Sequence, residues 1–188
     1  MQTRLSMADS DNSVLMVIDI QERLTTAMPA GVRDRVIEQV SVLLTAAESL
    51  SLPVIVTEQY PKGLGPTEAD LKNLLPAGTP VVEKTRFSSA AVKEVSEFLS
   101  KSGRKQVFLA GMETHICVLQ TALGLLEMGY DVFVIEDAVS SRAKGNQFNA
   151  LQRLRLAGAV ITNVESTMFE WLADASHPAF KKLSKLIV

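Results

Sequence analysis

The sequence has few of the residues that most often form disulfides and metal sites. Its 188 residues include one cysteine, Cys117, and two histidines, His115 and His177. A single cysteine excludes an intramolecular disulfide and is typical of a protein in a reducing compartment. Two histidines so far apart are too few and too scattered for a first-row transition-metal site. We therefore expect no bound metal.

The sequence also lacks long apolar runs, an excess of one charge and phosphate-binding glycine motifs. No apolar run approaches the roughly 18 residues that a membrane-spanning helix needs, and residues 1–12 lack the apolar segment of a secretory signal. Nineteen basic residues against twenty-one acidic ones give a net charge of −2, which argues against nucleic acid as the main partner. Dinucleotide and P-loop fingerprints are absent as well. These absences predict a cytoplasmic protein that has no cofactor and binds neither membranes nor nucleic acid.

Short apolar runs alternate with amphipathic segments along most of the chain. A composition of 47% hydrophobic and 21% charged residues is that of one folded domain. The predicted strands cover residues 14–18, 54–56, 80–83, 107–110, 132–135 and 159–162. This alternation predicts an α/β fold, a three-layer α/β/α sandwich around a mostly parallel, Rossmann-like sheet of six strands. We expect a single domain over residues 13–188, preceded by a flexible leader at 1–12.

The predicted helices lie between and after these strands. Five of them cover residues 32–50, 68–74, 146–156, 166–172 and 178–186. Another is capped by Ser88 or Ser89 and ends at Gly103. The last carries Cys117 in its first turn and ends at Gly129. Residues 58–66, which are rich in glycine and proline, are predicted to form a loop.

Three chemically reactive side chains stand at the ends of predicted strands. Asp19, Lys84 and Cys117 end or follow the first, third and fourth strands, and the carboxyl ends of parallel strands share one edge of a sheet. A thiol needs a nearby base or cation to act as a nucleophile at neutral pH, and an aspartate and a lysine could supply both. The same spacing fits equally well a helix-capping Asp19, a solvated Lys84 and a packed Cys117.

The position of Cys117 predicts two further properties, the pKa of its thiol and its placement relative to His115. A thiol in the first turn of a helix lies near the positive end of the helix dipole, and with Lys84 close by this favours a thiolate of low pKa. His115 precedes it by two residues, which on a helix places the two side chains on nearly opposite faces and argues against a Cys–His dyad. His115 is then expected at a helix end or pocket rim, His177 is expected to be structural, and Asp137 to cap a helix or face the site.

Three sequence blocks resemble the motifs of the isochorismatase-like cysteine hydrolases. They are IDIQ at 18–21, EKTRFS at 83–88 and GMETHIC at 111–117, and the resemblance extends from about residue 14 to residue 162. Residues 57–67 are most similar to the branch called isochorismatase domain-containing proteins. The family includes nicotinamidases, which bind a metal through an aspartate and histidines after the second strand, and the corresponding segment here contains no histidine.

The resemblance implies a site and a strand order. Asp19, Lys84 and Cys117 match the family's Asp–Lys–Cys triad, and the bond between Met112 and Glu113 matches a cis peptide. The backbone N–H groups of Glu113 and Cys117 would form the oxyanion hole. The family also implies the strand order 3-2-1-4-5-6, and its members are usually oligomers, so we expect a homo-oligomer.

Together these features predict a hydrolase that acts on a small amide-like or ester-like substrate through a covalent thioester. Position alone suggests Gln59, Tyr60, Phe87 and Met112 as residues that line the substrate pocket. Two alternatives stay open. One is vinyl-ether hydrolysis of the isochorismatase kind, in which the aspartate alone acts; the other is a non-catalytic or redox-sensing oligomer of the same fold.

Overall fold

The fold is built around one sheet of six parallel strands, ordered β3-β2-β1-β4-β5-β6. It is known from a computed structural model that describes residues 7–187. The strands are β1 (Ser13–Ile18), β2 (Val54–Gln59), β3 (Val81–Lys84), β4 (Gln106–Met112), β5 (Asp131–Ser140) and β6 (Val160–Thr162). Helices flank the sheet, so the predicted α/β fold and strand order are confirmed.

Nine α-helices connect or follow these strands in the described residues. They are α1 (Glu22–Thr26), α2 (Val32–Ser49), α3 (Pro61–Leu64), α4 (Ala69–Lys72), α5 (Lys93–Ser102), α6 (Leu119–Glu127), α7 (Lys144–Ala157), α8 (Val164–Leu172) and α9 (Phe180–Leu183). Short 3₁₀ turns cover Ser10–Asn12, Ser89–Ala91 and Ser184–Leu186. None of these helices is long and apolar enough to cross a membrane.

The sheet separates two apolar layers. Leu15 and Val17 of β1 face one layer, which contains α2 and α8, while Met16 faces the other, which contains α5 and α6. Every residue of β1 and β4 is buried, because successive side chains enter opposite layers. The continuous apolar runs at 14–18 and 107–110 follow from this burial on both faces.

The described part of the predicted leader is attached to the domain. Ala8 is buried, and its N–H donates to the Glu170 carboxylate at 2.7 Å. The N–H of Asp9 donates to Gln106 Oε1 at 2.8 Å. These contacts differ from the flexible leader expected over 1–12, because the backbone at 8 and 9 has partners in the domain; residues 1–6 lie outside the described residues.

Two local features near the site also differ from expectation. The segment predicted as a loop after β2 contains the short helix α3, which begins with Pro61, a residue well suited to the first helical position. Gly111, which lies just after the predicted strand at 107–110, is part of β4. Gly111 has φ 129°, and a Cβ there would lie 2.0 Å from the carbonyl oxygen of Ile18, so only glycine lets β4 approach β1 this closely.

Candidate active site

The side chains of Asp19, Lys84 and Cys117 meet at the carboxyl edge of the sheet. Asp19 follows β1, Lys84 is the last residue of β3, and Cys117 lies in the turn after β4. Asp19 is fully buried, and only 5% of Lys84 and of Cys117 is exposed. Lys84 Nζ donates to Asp19 Oδ2 at 2.7 Å, and the thiol of Cys117 interacts with both of these groups. Lys84 is therefore not solvated, and the three groups form one cluster.

Both carboxylate oxygens of Asp19 have protein partners. Thr57 Oγ1 donates to Oδ1 at 2.7 Å, and Lys84 occupies Oδ2. The backbone of Asp19 is left-handed, with φ 52°, and its N–H donates to the Thr57 carbonyl at 3.0 Å. Aspartate tolerates this conformation better than most residues. Thr57 thus fixes both the backbone and the side chain of Asp19.

The Lys84 ammonium is surrounded by oxygen acceptors. Besides Asp19, it donates to Gln59 Oε1 at 2.8 Å and to the carbonyls of Arg86 and Phe87 at 3.3 Å each. A buried charge is tolerated only when it is paired and hydrogen-bonded, and these contacts satisfy that requirement. The result is an ammonium held in one position beside the carboxylate.

Gln21 joins the loops that surround this ion pair. Its Oε1 accepts from the Gln59 N–H at 2.7 Å, and its Nε2 donates to the carbonyls of Gln59 and Gly65 at 3.0 and 2.7 Å. Sequence reasoning assigned no role to Gln21 or Thr57. The signal for Thr57 is the strand register, since Thr57 lies opposite Ile18, the residue before Asp19.

Cys117 lies in a π-helical turn, Thr114–Val118, and not in the first turn of an α-helix as predicted. The Glu113 carbonyl accepts from the N–H groups of Ile116 at 3.0 Å and Val118 at 3.3 Å, and the second bond spans five residues. Helix α6 begins only after this wider turn. The sequence expectation missed it because apolar periodicity does not distinguish a π turn from an α turn.

The residue that begins this turn is anchored from the next strand connection. The Glu113 side chain is buried, and its carboxylate accepts from the Arg142 N–H at 2.9 Å and pairs with Arg142 Nε at 3.1 Å. The peptide bond between Met112 and Glu113 is cis, as the resemblance implied. Arg142 was not predicted, because its partner is distant in sequence.

The electrostatics of Cys117 are opposite to those expected. Burial raises the pKa of its thiol to about 12, and the negative charge of Asp19 acts in the same direction, while Lys84 opposes them more weakly. Burial also raises the pKa of Asp19, against the influence of Lys84. The expectation of a low-pKa thiolate is therefore wrong, because desolvation and the adjacent carboxylate outweigh the lysine. In the resting protein the thiol is neutral.

The residues predicted to line the pocket occupy different environments. Gln59 binds Lys84, and Tyr60 is 56% exposed at the rim of a cavity of about 390 Å³ that Lys84 also lines. Phe87 is 52% exposed, and its carbonyl accepts from Lys84. Met112 differs from the prediction: it is fully buried within the apolar core, where the side chains of β4 pack against the helices.

The remaining candidates have structural contacts. His115 Nδ1 lies 2.9 Å from Ser141 Oγ, and His177 Nδ1 accepts from the Ala179 N–H. The Asp137 carboxylate accepts from the Val164 N–H at 3.0 Å, at the start of α8. Within residues 7–187, no group of three or more histidine, cysteine, aspartate or glutamate side chains is placed to hold a metal ion.

Comparisons with known proteins match almost the whole chain. The isochorismatase domain matches residues 13–166. The chain is 45% identical to a secreted isochorismatase effector of Phytophthora sojae, over 98% of this chain and 88% of that protein. It is 37% identical to the isochorismatase domain-containing protein 2 of Xenopus laevis, with the same two coverages.

A solved structure shares this fold. It is described as a MAR1 ribonuclease from Caenorhabditis elegans, is 40% identical, and superposes with a TM-score of 0.91 over 97% of this chain and 92% of that one. Matches of this identity and coverage, together with the domain match, show that the chain belongs to the isochorismatase-like hydrolase family.

Proposed function

We propose that the protein is a cysteine hydrolase that cleaves a small amide-like or ester-like substrate through a thioester on Cys117. The observation that carries this proposal is the buried Asp19–Lys84 ion pair, whose two charges both act on the Cys117 thiol. A nucleophile beside a base, with the base oriented by a third group, is the arrangement that covalent hydrolysis requires. Family membership supports hydrolase chemistry independently.

In the first step, the thiol sulfur attacks the substrate carbonyl carbon while its proton passes to the Asp19 carboxylate. Burial makes Asp19 a stronger base than an ordinary aspartate, since it raises its pKa. The neutral resting thiol fits this order of events, because proton transfer then accompanies the attack. Lys84 keeps the carboxylate in place at 2.7 Å and compensates its charge.

Collapse of the tetrahedral intermediate completes the acylation. The carbon–nitrogen or carbon–oxygen bond to the leaving group breaks, and the proton on Asp19 moves to that group. In the second half of the reaction, Asp19 removes a proton from water, which attacks the thioester carbonyl. The acid is released and the proton returns to the Cys117 sulfur.

The backbone N–H groups of Glu113 and Cys117 are our candidates for the oxyanion hole. The bonds from Arg142 to the Glu113 carboxylate fix this part of the backbone. Such preorganised donors stabilise the charge that develops in the transition state. Gln59 and Tyr60, at the Lys84 rim, are proposed to contact the substrate, together with Phe87.

A substrate screen with matched variants tests the proposal. Small amides, ureido acids and esters would be incubated with the wild type and with Cys117→Ala and Cys117→Ser, and acid release measured. We expect turnover by the wild type, none by Cys117→Ala, and strongly slowed turnover by Cys117→Ser, since a hydroxyl is the weaker nucleophile. If Cys117→Ala retains full activity, the reaction does not pass through a thioester on Cys117, and a mechanism in which Asp19 acts without the thiol takes its place.

A second candidate activity is cleavage of RNA. It is favoured by the 40% identity to the structure described as a MAR1 ribonuclease. Incubating the protein with labelled single-stranded RNA, with the Cys117→Ala and Asp19→Asn variants as controls, distinguishes the two. If the wild type cleaves RNA and the variants do not, RNA replaces the amide or ester as the proposed substrate. Our expectation of no nucleic-acid partner is then overturned.

The setting of the protein is also a proposal. We propose a metal-independent, cytoplasmic homo-oligomer with one hydrolase domain over residues 13–188. The exposed apolar side chain of Leu156, at 85%, offers contact surface for a second copy. Because one relative is named as a secreted effector, secretion is the alternative to test against the proposed cytoplasmic location.

A further inference from the structure

A cavity of about 580 Å³ opens at the carboxyl end of β5, and none of Asp19, Lys84 and Cys117 lines it. The start of α2 forms one wall and the start of α7 forms the other. This volume is within the range of small-molecule sites. The residues that carry the argument are Arg35, Ser140, Lys144, Phe148 and Leu151, all of which line the cavity.

Two cationic side chains approach the cavity from opposite walls. Arg35 belongs to α2 and Lys144 to α7, and both are exposed. Neither side chain makes a hydrogen bond or an ion pair with a residue in the described range 7–187. Asp137, which feels the charge of Arg35, has its carboxylate engaged by the Val164 N–H. The cavity therefore has a positive charge that the protein does not neutralise at close range.

Ser140 places a hydroxyl at the cavity wall. The residue is 1% exposed, and its side chain makes no hydrogen bond to any described residue. Its neighbour Ser141 differs, because that hydroxyl lies 2.9 Å from His115 Nδ1. Among the described residues, the only sealed side-chain oxygen without a partner is that of Thr114, so the Ser140 hydroxyl is open to the cavity and can donate to a ligand there.

The first turn of α7 supplies further donors. This helix of 14 residues has no side-chain cap, and the first backbone N–H groups that bond back to Ala143 are those of Asn146 and Gln147. The N–H groups of Lys144 and Gly145 have no acceptor within the described residues. Unpaired amides at the positive end of a helix favour anions, phosphate in particular.

The rest of the wall is apolar. Phe148 is 65% exposed, one helical turn after Lys144, and Leu151 follows on the same face. We propose that the cavity binds a small organic phosphate, a phosphate monoester with an aromatic or apolar body. Arg35, Lys144, Ser140 and the α7 amides hold the phosphate, since donors from several directions suit a tetrahedral dianion better than a planar carboxylate. Phe148 contacts the body of the ligand.

Calorimetric titration with phenyl phosphate, inorganic phosphate and benzoate tests this proposal on the full chain. We expect saturable binding of phenyl phosphate, and at least tenfold weaker binding of benzoate and of inorganic phosphate. Arg35→Gln, Lys144→Gln and Ser140→Ala should each weaken phenyl phosphate binding about tenfold or more, since a hydrogen bond to a charged group contributes about 1.5–3 kcal/mol. Arg153→Gln, an exposed cation farther along α7, is the matched control and should have no effect.

Several outcomes would overturn the proposal. They are the absence of saturable binding, equal binding of benzoate, and unchanged affinity in the Arg35 and Lys144 variants. Loss of binding when Cys117 is alkylated would assign the phosphate to the candidate active site. If phenyl phosphate does not bind and Phe148→Ala lowers the oligomeric mass, the cavity is an interface between copies.

Discussion

The Asp19→Asn variant should make Cys117 more reactive towards an alkylating reagent while abolishing turnover. The raised thiol pKa of about 12 rests first on burial and second on the charge of Asp19, with Lys84 opposing both. The substitution removes the carboxylate charge and keeps Lys84. At an effective dielectric constant of 20, a unit charge about 4 Å away contributes about 4 kcal/mol, which is roughly three pKa units.

This shift sets the expected magnitude. Each unit of lower pKa gives about ten times more thiolate at pH 8, but the thiolate becomes a weaker nucleophile with a Brønsted coefficient of about 0.4–0.5. The net gain is then roughly 30-fold for three units, and we expect at least about tenfold. In the wild type, the alkylation rate should rise tenfold per pH unit and level off only near the thiol pKa of about 12.

Iodoacetamide alkylation followed by intact-protein mass spectrometry measures this rate. Glu22→Gln is the matched control, because it removes an exposed carboxylate of α1 that is not among the causes of the Cys117 shift. Circular dichroism verifies that each variant is folded. If Asp19→Asn is alkylated no faster than the wild type at pH 8, the carboxylate does not suppress the thiolate and the reasoning is refuted.

Three further predictions concern stability and metal dependence. Lys84→Met should lower the free energy of unfolding by about 3–5 kcal/mol in urea titrations, because it leaves the fully buried Asp19 unpaired. Adding Asp19→Asn to this variant should recover part of the lost stability. If the losses of the two substitutions simply add, the pairing is contradicted. Gly111→Ala should lower the free energy of unfolding by about 3 kcal/mol or more in the same titration, because its Cβ would overlap the Ile18 carbonyl. In the control Gly145→Ala, the new Cβ meets no atom within 4 Å, so this substitution should be neutral or stabilising. Chelator treatment should leave turnover unchanged, and loss of activity that zinc or iron restores would show that a metal takes part.

Much of this fold could be predicted because burial on both faces of the sheet produces a recognisable apolar pattern in the sequence. Strands such as β1 and β4 are buried on both faces and contain the apolar runs at 14–18 and 107–110, which are followed by Asp19 and by Gly111. The positions of Asp19 and Lys84 after such runs were enough to expect them at one edge. The parallel order of the strands then brings them together.

The features that sequence reasoning missed depend on contacts between distant segments. Thr57 binds Asp19 only because β1 and β2 pair in one register, and Arg142 binds Glu113 across 29 residues. The sign of the Cys117 shift was mispredicted for a related reason. Helix position and a nearby lysine can be read from the sequence, but the degree of burial cannot, and burial is the largest cause.

Intact-protein mass spectrometry of an acid-quenched reaction tests the central claim most directly. With any amide or ester that the wild type turns over, we predict a mass increase equal to the acyl group, located on the peptide that contains Cys117 and absent from Cys117→Ala. Under the same quench, Asp19→Asn should accumulate little adduct despite its more reactive thiol, because it lacks the acid that delivers a proton to the leaving group. Steady turnover of that substrate with no adduct on Cys117 at any quench time, and with Cys117→Ala fully active, would contradict the account.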